Sequence, residues 1–168
     1  MSPRASESAL LDEAAAAFLH RPGISITAAS RDANNVSHIG RVLGCRVSPD
    51  RRKVTLFVAS SQYQAFFDAL KGSRTIAAVF SLPSTHRTMQ LKGSDAAAGA
   101  LAPGDEQIIA RHVEDFVEEL GRLGYSRDMV RAYHWCDPEE VRAVTFTLSA
   151  AFEQTPGPGA GAPLAPPA

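Results

Sequence analysis

Arg41 and Arg46 stand five residues apart in the run Arg41-Val-Leu-Gly-Cys-Arg46, and their types suit them to holding an anion. A charged side chain in a strand is costly to bury without a partner. A guanidinium meets phosphate or carboxylate through a bidentate fork. In a regular strand a spacing of five points the two side chains to opposite faces. A bulge near Gly40 or Gly44 would bring them together, and glycine is common at such sites. Ser60 and Ser61 precede a short helix, whose N-terminus is a second place for an anion, and Ser61 is also its natural cap. In residues 85–93 the alternation puts His86, Thr88, Gln90 and Lys92 on one face, with Arg87, Met89 and Leu91 on the other. Thr88 and Gln90 supply hydrogen-bonding groups there.

Other reactive types are better read as structure. His134-Trp135-Cys136 lacks the four-ligand complement of a structural zinc, and no metal site is expected. Trp135 is expected to pack on the barrel or on a dimer interface. Cys45 reads as a small buried apolar residue, and His112 falls on the apolar stripe of a helix. His86 lies beside a turn and is expected to be exposed. No Ser-His-Asp, Walker or Rossmann pattern occurs, and the glycines at 157, 159 and 161 precede no basic helix. No catalytic residue is assigned.

The elements that must position these groups follow from periodicity. Residues 8–19 read as a helix capped by Ser8 and ended by Pro22-Gly23. Strands follow at 24–29, 36–48 and 53–59, the last nearly all apolar. Residues 62–71 form a short helix with Phe66, Phe67 and Leu70 inward, ended by Gly72. Strands at 75–82 and 85–93 come next, and 96–99 is the frayed end of the second. Asp105 caps a long helix whose stripe runs from Ile108 to Leu123. A helical turn at 128–132 and a last strand over 141–152 complete the domain. The tail from 155 to 168 holds five of the chain's 11 prolines and reads as extended or disordered beyond its first residues.

At 168 residues, 45% hydrophobic and 21% charged, the chain is long enough for one domain with its own core. A net charge of −1 argues against a nucleic-acid or anionic-membrane partner held by bulk electrostatics. No apolar stretch approaches the roughly 20 residues of a membrane span. Two cysteines make no disulfide framework, and the first residues carry no apolar signal core. A cytoplasmic protein is expected. Short turns between sequential strands favour antiparallel pairing, and about six such strands close most economically into a small barrel.

This order of elements, with Arg41 to Arg46, Thr75-Ile-Ala-Ala-Val-Phe80 and Thr85-His-Arg-Thr-Met-Gln-Leu-Lys-Gly93, resembles the pyridoxamine 5'-phosphate oxidase-like family over residues 10–154. The resemblance implies a mainly β fold with flanking helices, the FMN-binding split β-barrel, and a homodimer holding flavin between subunits. It implies an FMN-binding protein acting as a flavin-dependent oxidoreductase on a small molecule not identifiable from sequence. The carried-over cofactor contacts are Arg41, Val42, Leu43 and Arg46, then Ala59, Ser60 and Ser61, then Thr88 and Gln90. The chain departs from the family at three places. Gln64-Ala65-Phe66 stands where the oxidases carry a Ser-Arg-Lys phosphate clamp, and Thr88 stands where they carry glutamine. The ending Phe152-Glu-Gln-Thr-Pro-Gly157 shows no substrate-binding Arg and His. Losing two charge-assisted contacts of about 1.5–3 kcal/mol each turns a tightly held cofactor into an exchanging one. The alternative is a non-catalytic split-barrel homodimer with weak or no flavin binding, taking haem or another ligand or serving as an interaction module.

Overall fold

The computed structural model describes residues 11–164; the expected cap Ser8 lies outside them. Helix α1 (Glu13–Leu19) is capped instead by Asp12, whose carboxylate accepts from the Ala15 N–H at 2.7 Å. Strands β1 (Ser25–Arg31), β2 (Ser37–Val47) and β3 (Lys53–Ala59) lead into α2 (Gln64–Ser73). β4 (Ile76–Ser81), β5 (Thr88–Gly93) and β6 (Ala97–Gly99) precede a helical hairpin, α3 (Asp105–Arg122) and α4 (Arg127–His134). A 3-10 turn at Pro138–Glu140 then enters β7 (Val141–Thr147) and β8 (Ala150–Glu153).

All ladders are antiparallel, in the order β6-β7-β3-β2-β1-β4-β5-β8. Eight strands replace the expected six, for two local reasons. The expected last strand breaks at Leu148 and Ser149, whose N–H groups turn to Arg52 O and Lys92 O. Residues 97–99 do not extend β5 but pair with β7. Because only those two residues separate β7 from β8 while the two strands lie toward opposite ends of the order, the sheet must curl around its core. β6 and β8 share no ladder, so the barrel is split rather than closed.

The interior follows the strand alternation. Ile26 and Ala28 from β1, Ile76, Ala78 and Phe80 from β4, and Met89 and Leu91 from β5 are all buried. Val54, Leu56 and Val58 join them, whereas Phe57 and Ala59 belong to a second apolar cluster on the outer face. A strand covered on both sides reads as a continuous apolar run, which is why β3 loses its alternation. Phe18 and Leu19 of α1 and Phe66 and Leu70 of α2 add to the main core.

Three expected termini shift. Tyr63, not Ser61, is the N-cap of α2 and gives it no side-chain bond; the helix runs past Gly72 to a left-handed Arg74 (φ 54°). Asp105 is the first residue of α3 rather than its cap. As far as residue 164 the tail does not extend away. Gly157 and Gly161 have φ of 148° and 90°, and the chain turns back so that Glu153 N–H donates to Ala162 O and Leu164 N–H to Ala151 O. This covers the free edge of β8, which would otherwise present unpaired backbone groups.

Gly93 sits where the curled ends meet. A Cβ there would lie 2.5 Å from Phe146 Cδ2 and 2.9 Å from Thr147 O, and a backbone oxygen cannot swing aside. Gly93→Ala is therefore expected to lower stability by about 1–3 kcal/mol. The check is a urea midpoint that falls while the slope stays constant, and an unchanged midpoint would refute the packing described.

Candidate functional site

The site depends on one extra residue in β2. Val42 opposes Val58, but Cys45 opposes Leu56, so β2 carries three steps where β3 carries two. Gly44 takes up the bulge at φ 143°, a conformation other residues rarely adopt. Before the bulge Val42 faces the barrel core and Leu43 the outer cluster; after it Cys45 faces the core again. Arg41, Leu43 and Arg46 consequently share the outer face. Helix α3 packs on this face with His112 against the bulge, where a Cβ on Gly44 would stand 3.4 Å from His112 Cβ.

The two arginines nevertheless part company. Arg46 forms a bidentate pair with Asp105, Nε to Oδ1 at 2.9 Å and Nη2 to Oδ2 at 3.2 Å. Asp105 is only 1% exposed and also accepts the Ala102 N–H at 2.8 Å. Arg41 reaches the other end of the hairpin. Its Nη1 donates to Tyr133 O at 2.7 Å and its guanidinium lies 3.1 Å from the Tyr133 ring centroid. Its other donors make no hydrogen bond among the described residues.

A cleft of about 620 Å³ opens beside Arg41. Its floor includes Ser25 and Thr27 of β1 and Ser81 of β4, and its wall includes Leu120, Met129 and Tyr133. His134 lines it as well, buried with its Nδ1 3.1 Å from Val130 O and its ring edge-on to Phe116. Burial holds the His134 pKa below the ordinary range, the Arg41 charge adding to the effect against the Val130 bond. His86 stands at the rim, exposed as expected, in a left-handed conformation (φ 59°).

The remaining sequence-predicted residues have these places. Register aligns Arg41 with Thr27, Thr27 with Val79, Val79 with Gln90 and Gln90 with Phe152. Arg41 and Gln90 thus share one row on one face, about 14 Å apart at the usual strand spacing. Thr88 pairs with Ser81 through their hydroxyls at 2.8 Å. Val42 points into the barrel core, while Leu43 and Ala59 lie beneath Ile108 and Ile109 of α3. Their side chains therefore face packed protein rather than a cleft. Ser60 donates to Glu140 O at 2.7 Å and Ser61 to the Glu140 carboxylate.

Sequence reasoning missed Asp105, Tyr133 and His134 as partners of these groups. The available signal was Met129 and Tyr133, four residues apart on one face of α4, with Tyr125 just ahead of that helix. All three are more than half exposed, and Trp135, expected to pack, is 72% exposed in the protomer. Among the described residues no helix is long and apolar enough to cross a membrane.

No family model and no curated protein matches the chain. Among solved structures it is similar to HupZ of Group A Streptococcus, with a TM-score of 0.53 and 12% identity over 90% of this chain and 99% of that one. It is also similar to a Lactobacillus delbrueckii protein provisionally named a pyridoxamine 5'-phosphate oxidase, at TM-score 0.51 and 12% identity, covering 84% and 93%. At this identity the likeness shows the fold: the split barrel of the pyridoxamine 5'-phosphate oxidase type.

Two stability predictions follow from the site's charges. Removing Arg46 strands a buried carboxylate, a loss of about 3–5 kcal/mol for a fully buried pair. Arg46 is 43% exposed, so Arg46→Met is expected to cost about 2 kcal/mol, with Arg46→Lys intermediate because lysine lacks the fork. Chemical denaturation of the three proteins decides it, and a loss below about 0.5 kcal/mol would contradict the pairing. The second concerns His112, whose pKa is lowered to about 4 by burial and by His134. The unfolded imidazole titrates near 6.5, so the unfolded chain binds the proton first as pH falls. Stability is full above about pH 6.5 and declines towards pH 4, by about 1–3 kcal/mol. His112→Gln should flatten that decline in urea titrations between pH 7.5 and 4.5, and a parallel curve would show that His112 does not cause it.

Proposed function

We propose that the chain binds a flavin of the FMN type in the cleft beside Arg41 and works as a flavin-dependent oxidoreductase on a small molecule, as a homodimer. The observation that carries this reading is the cleft itself: a guanidinium with free donors beside a floor of small hydroxyl side chains. A volume of about 620 Å³ lies within the range of small-molecule sites. Arg41 offers charge-assisted donors to an anionic tail. Ser25, Thr27 and Ser81 leave room for a flat ring and offer hydroxyls to its edge, with Thr88 and Gln90 on the same face of the sheet. When bound, flavin supplies hydride and electron transfer, and the protein's part is to orient it and exclude water. The homodimer is supported by exposed large apolar side chains, Ile39 at 61%, Tyr133 at 58% and Trp135 at 72%, of the kind that mark interaction surfaces when they are contiguous.

One observation favours the non-flavin alternative. Arg46 is engaged by Asp105, and Leu43 and Ala59 are buried under α3, so three of the nine contacts implied by the family are in use within the chain. Binding in the micromolar range, with exchange, reconciles both observations.

Titration of the purified protein with FMN, followed by flavin fluorescence, separates the readings. Saturation at tens of micromolar or below is expected, with Arg41→Ala weakening it more than tenfold and Arg46→Lys changing it less than threefold. No binding at that concentration would leave the non-catalytic module as the better reading.

A further inference from the structure

On the other flank of α3 lies a second cleft of about 340 Å³, between the turn that follows α1, the bulge of β2 and the first three turns of α3. Three features set it apart from ordinary surface. Arg21 and Arg111 both line it, and neither side chain makes a hydrogen bond, ion pair or ring contact among the described residues. His112 also faces it, with no hydrogen bond to either ring nitrogen. Gln107, one turn before Arg111 on the same helix, adds an amide. Asp115 is the one carboxylate on the lining, while the Arg46 charge is answered by Asp105.

The donors exceed what a carboxylate can use. Each guanidinium presents five N–H groups, and a neutral imidazole and an amide add more. A carboxylate has two oxygens, whereas a phosphate monoester has three terminal oxygens and close to two charges. The rest of the lining is apolar, from Leu19, Ile24 and Ile108, and suits a small carbon body attached to the anionic head. Cys45 closes the floor as an inert group: burial pushes its thiol up to about 12, so it stays protonated and forms no covalent bond.

We propose that this second cleft binds a small organic phosphate monoester through Arg21, Arg111 and His112, separately from the cleft beside Arg41. The head lies between the two guanidiniums, which come from different elements and so close on it from two sides. The apolar wall receives the organic body. This assignment does not depend on flavin binding.

Phenyl phosphate is a suitable probe, titrated calorimetrically into the full chain. A Kd below about 1 mM is expected, with Arg111→Ala and Arg21→Ala each weakening it at least fivefold and the double variant abolishing it. Both side chains are exposed, so the variants should keep the wild-type circular dichroism and melting temperature. Inorganic phosphate should bind at least threefold more weakly, and benzoate at least tenfold. Arg41→Ala should leave the affinity for phenyl phosphate unchanged, since Arg41 lines the other cleft. Equal affinity for inorganic phosphate would remove the organic body from the proposal, and equal affinity for benzoate would overturn the phosphate class. Loss of phenyl phosphate binding in Arg41→Ala would show a single site rather than two. Absence of heat at 10 mM phenyl phosphate, or arginine variants that bind as wild type, would overturn the assignment outright.

Discussion

The bulge at Gly44 is the constraint on which the rest of the structure depends. Without the extra residue, Arg41 and Arg46 would leave β2 on opposite faces and one of them would point into the apolar barrel. With it, both stand outside and the interior stays free of unpaired charge. The same residue sets where α3 can lie. A glycine at φ 143° presents no side chain to the helix, and His112 approaches the space a Cβ would fill. The helix then buries Ile108 and Ile109 against Leu43, Phe57 and Ala59, and the burial of that apolar surface holds it there. Arg46 fixes one end of the hairpin through Asp105, and Arg41 fixes the other through Tyr133. One inserted residue thus determines the face of two charges, the seat of a helix, and the two clefts on its flanks.

Much of this was legible in the sequence because it is local. The strands and the long amphipathic helix follow from spacing alone, and so does the condition that a bulge must join the arginines. What could not be read is the set of pairings across distance. Asp105 lies 59 positions from Arg46 and Tyr133 lies 92 from Arg41, and no periodicity connects such partners. Ser61 lost its capping role because Glu140 takes its hydroxyl. The tail misled for a different reason. Proline and glycine signal poor core formation, yet here glycines make the turns that let the chain return to β8. Strand count erred where two residues, Leu148 and Ser149, carry the chain across the split between the sheet's ends.

Small side chains on the open face explain why this surface, rather than the covered one, is available for binding. Ser25, Thr27 and Ala29 on β1 and Ala77, Val79 and Ser81 on β4 bring little bulk above the sheet. A flat molecule can approach such a surface closely, whereas the face across β2 and β3 is filled by the leucine, phenylalanine and isoleucines that dock α3. The helix therefore divides one sheet face into an occupied half and an open half.

Arg41 lies at that division, and its bonding state has a consequence for affinity. The guanidinium already donates to a carbonyl and stacks on an aromatic ring, interactions of about 1–2 kcal/mol together. These hold it in position before any ligand arrives, so little side-chain entropy is lost on binding. A free lysine at the same place would have to be ordered first. Pre-organisation raises the value of the one remaining charge, while the diversion of Arg46 to Asp105 lowers the number of charges. With these opposing effects, the anionic group of the proposed ligand would be held by one well-placed fork. Such a site would recognise its ligand by shape against the sheet and by a single electrostatic anchor, and would release it readily.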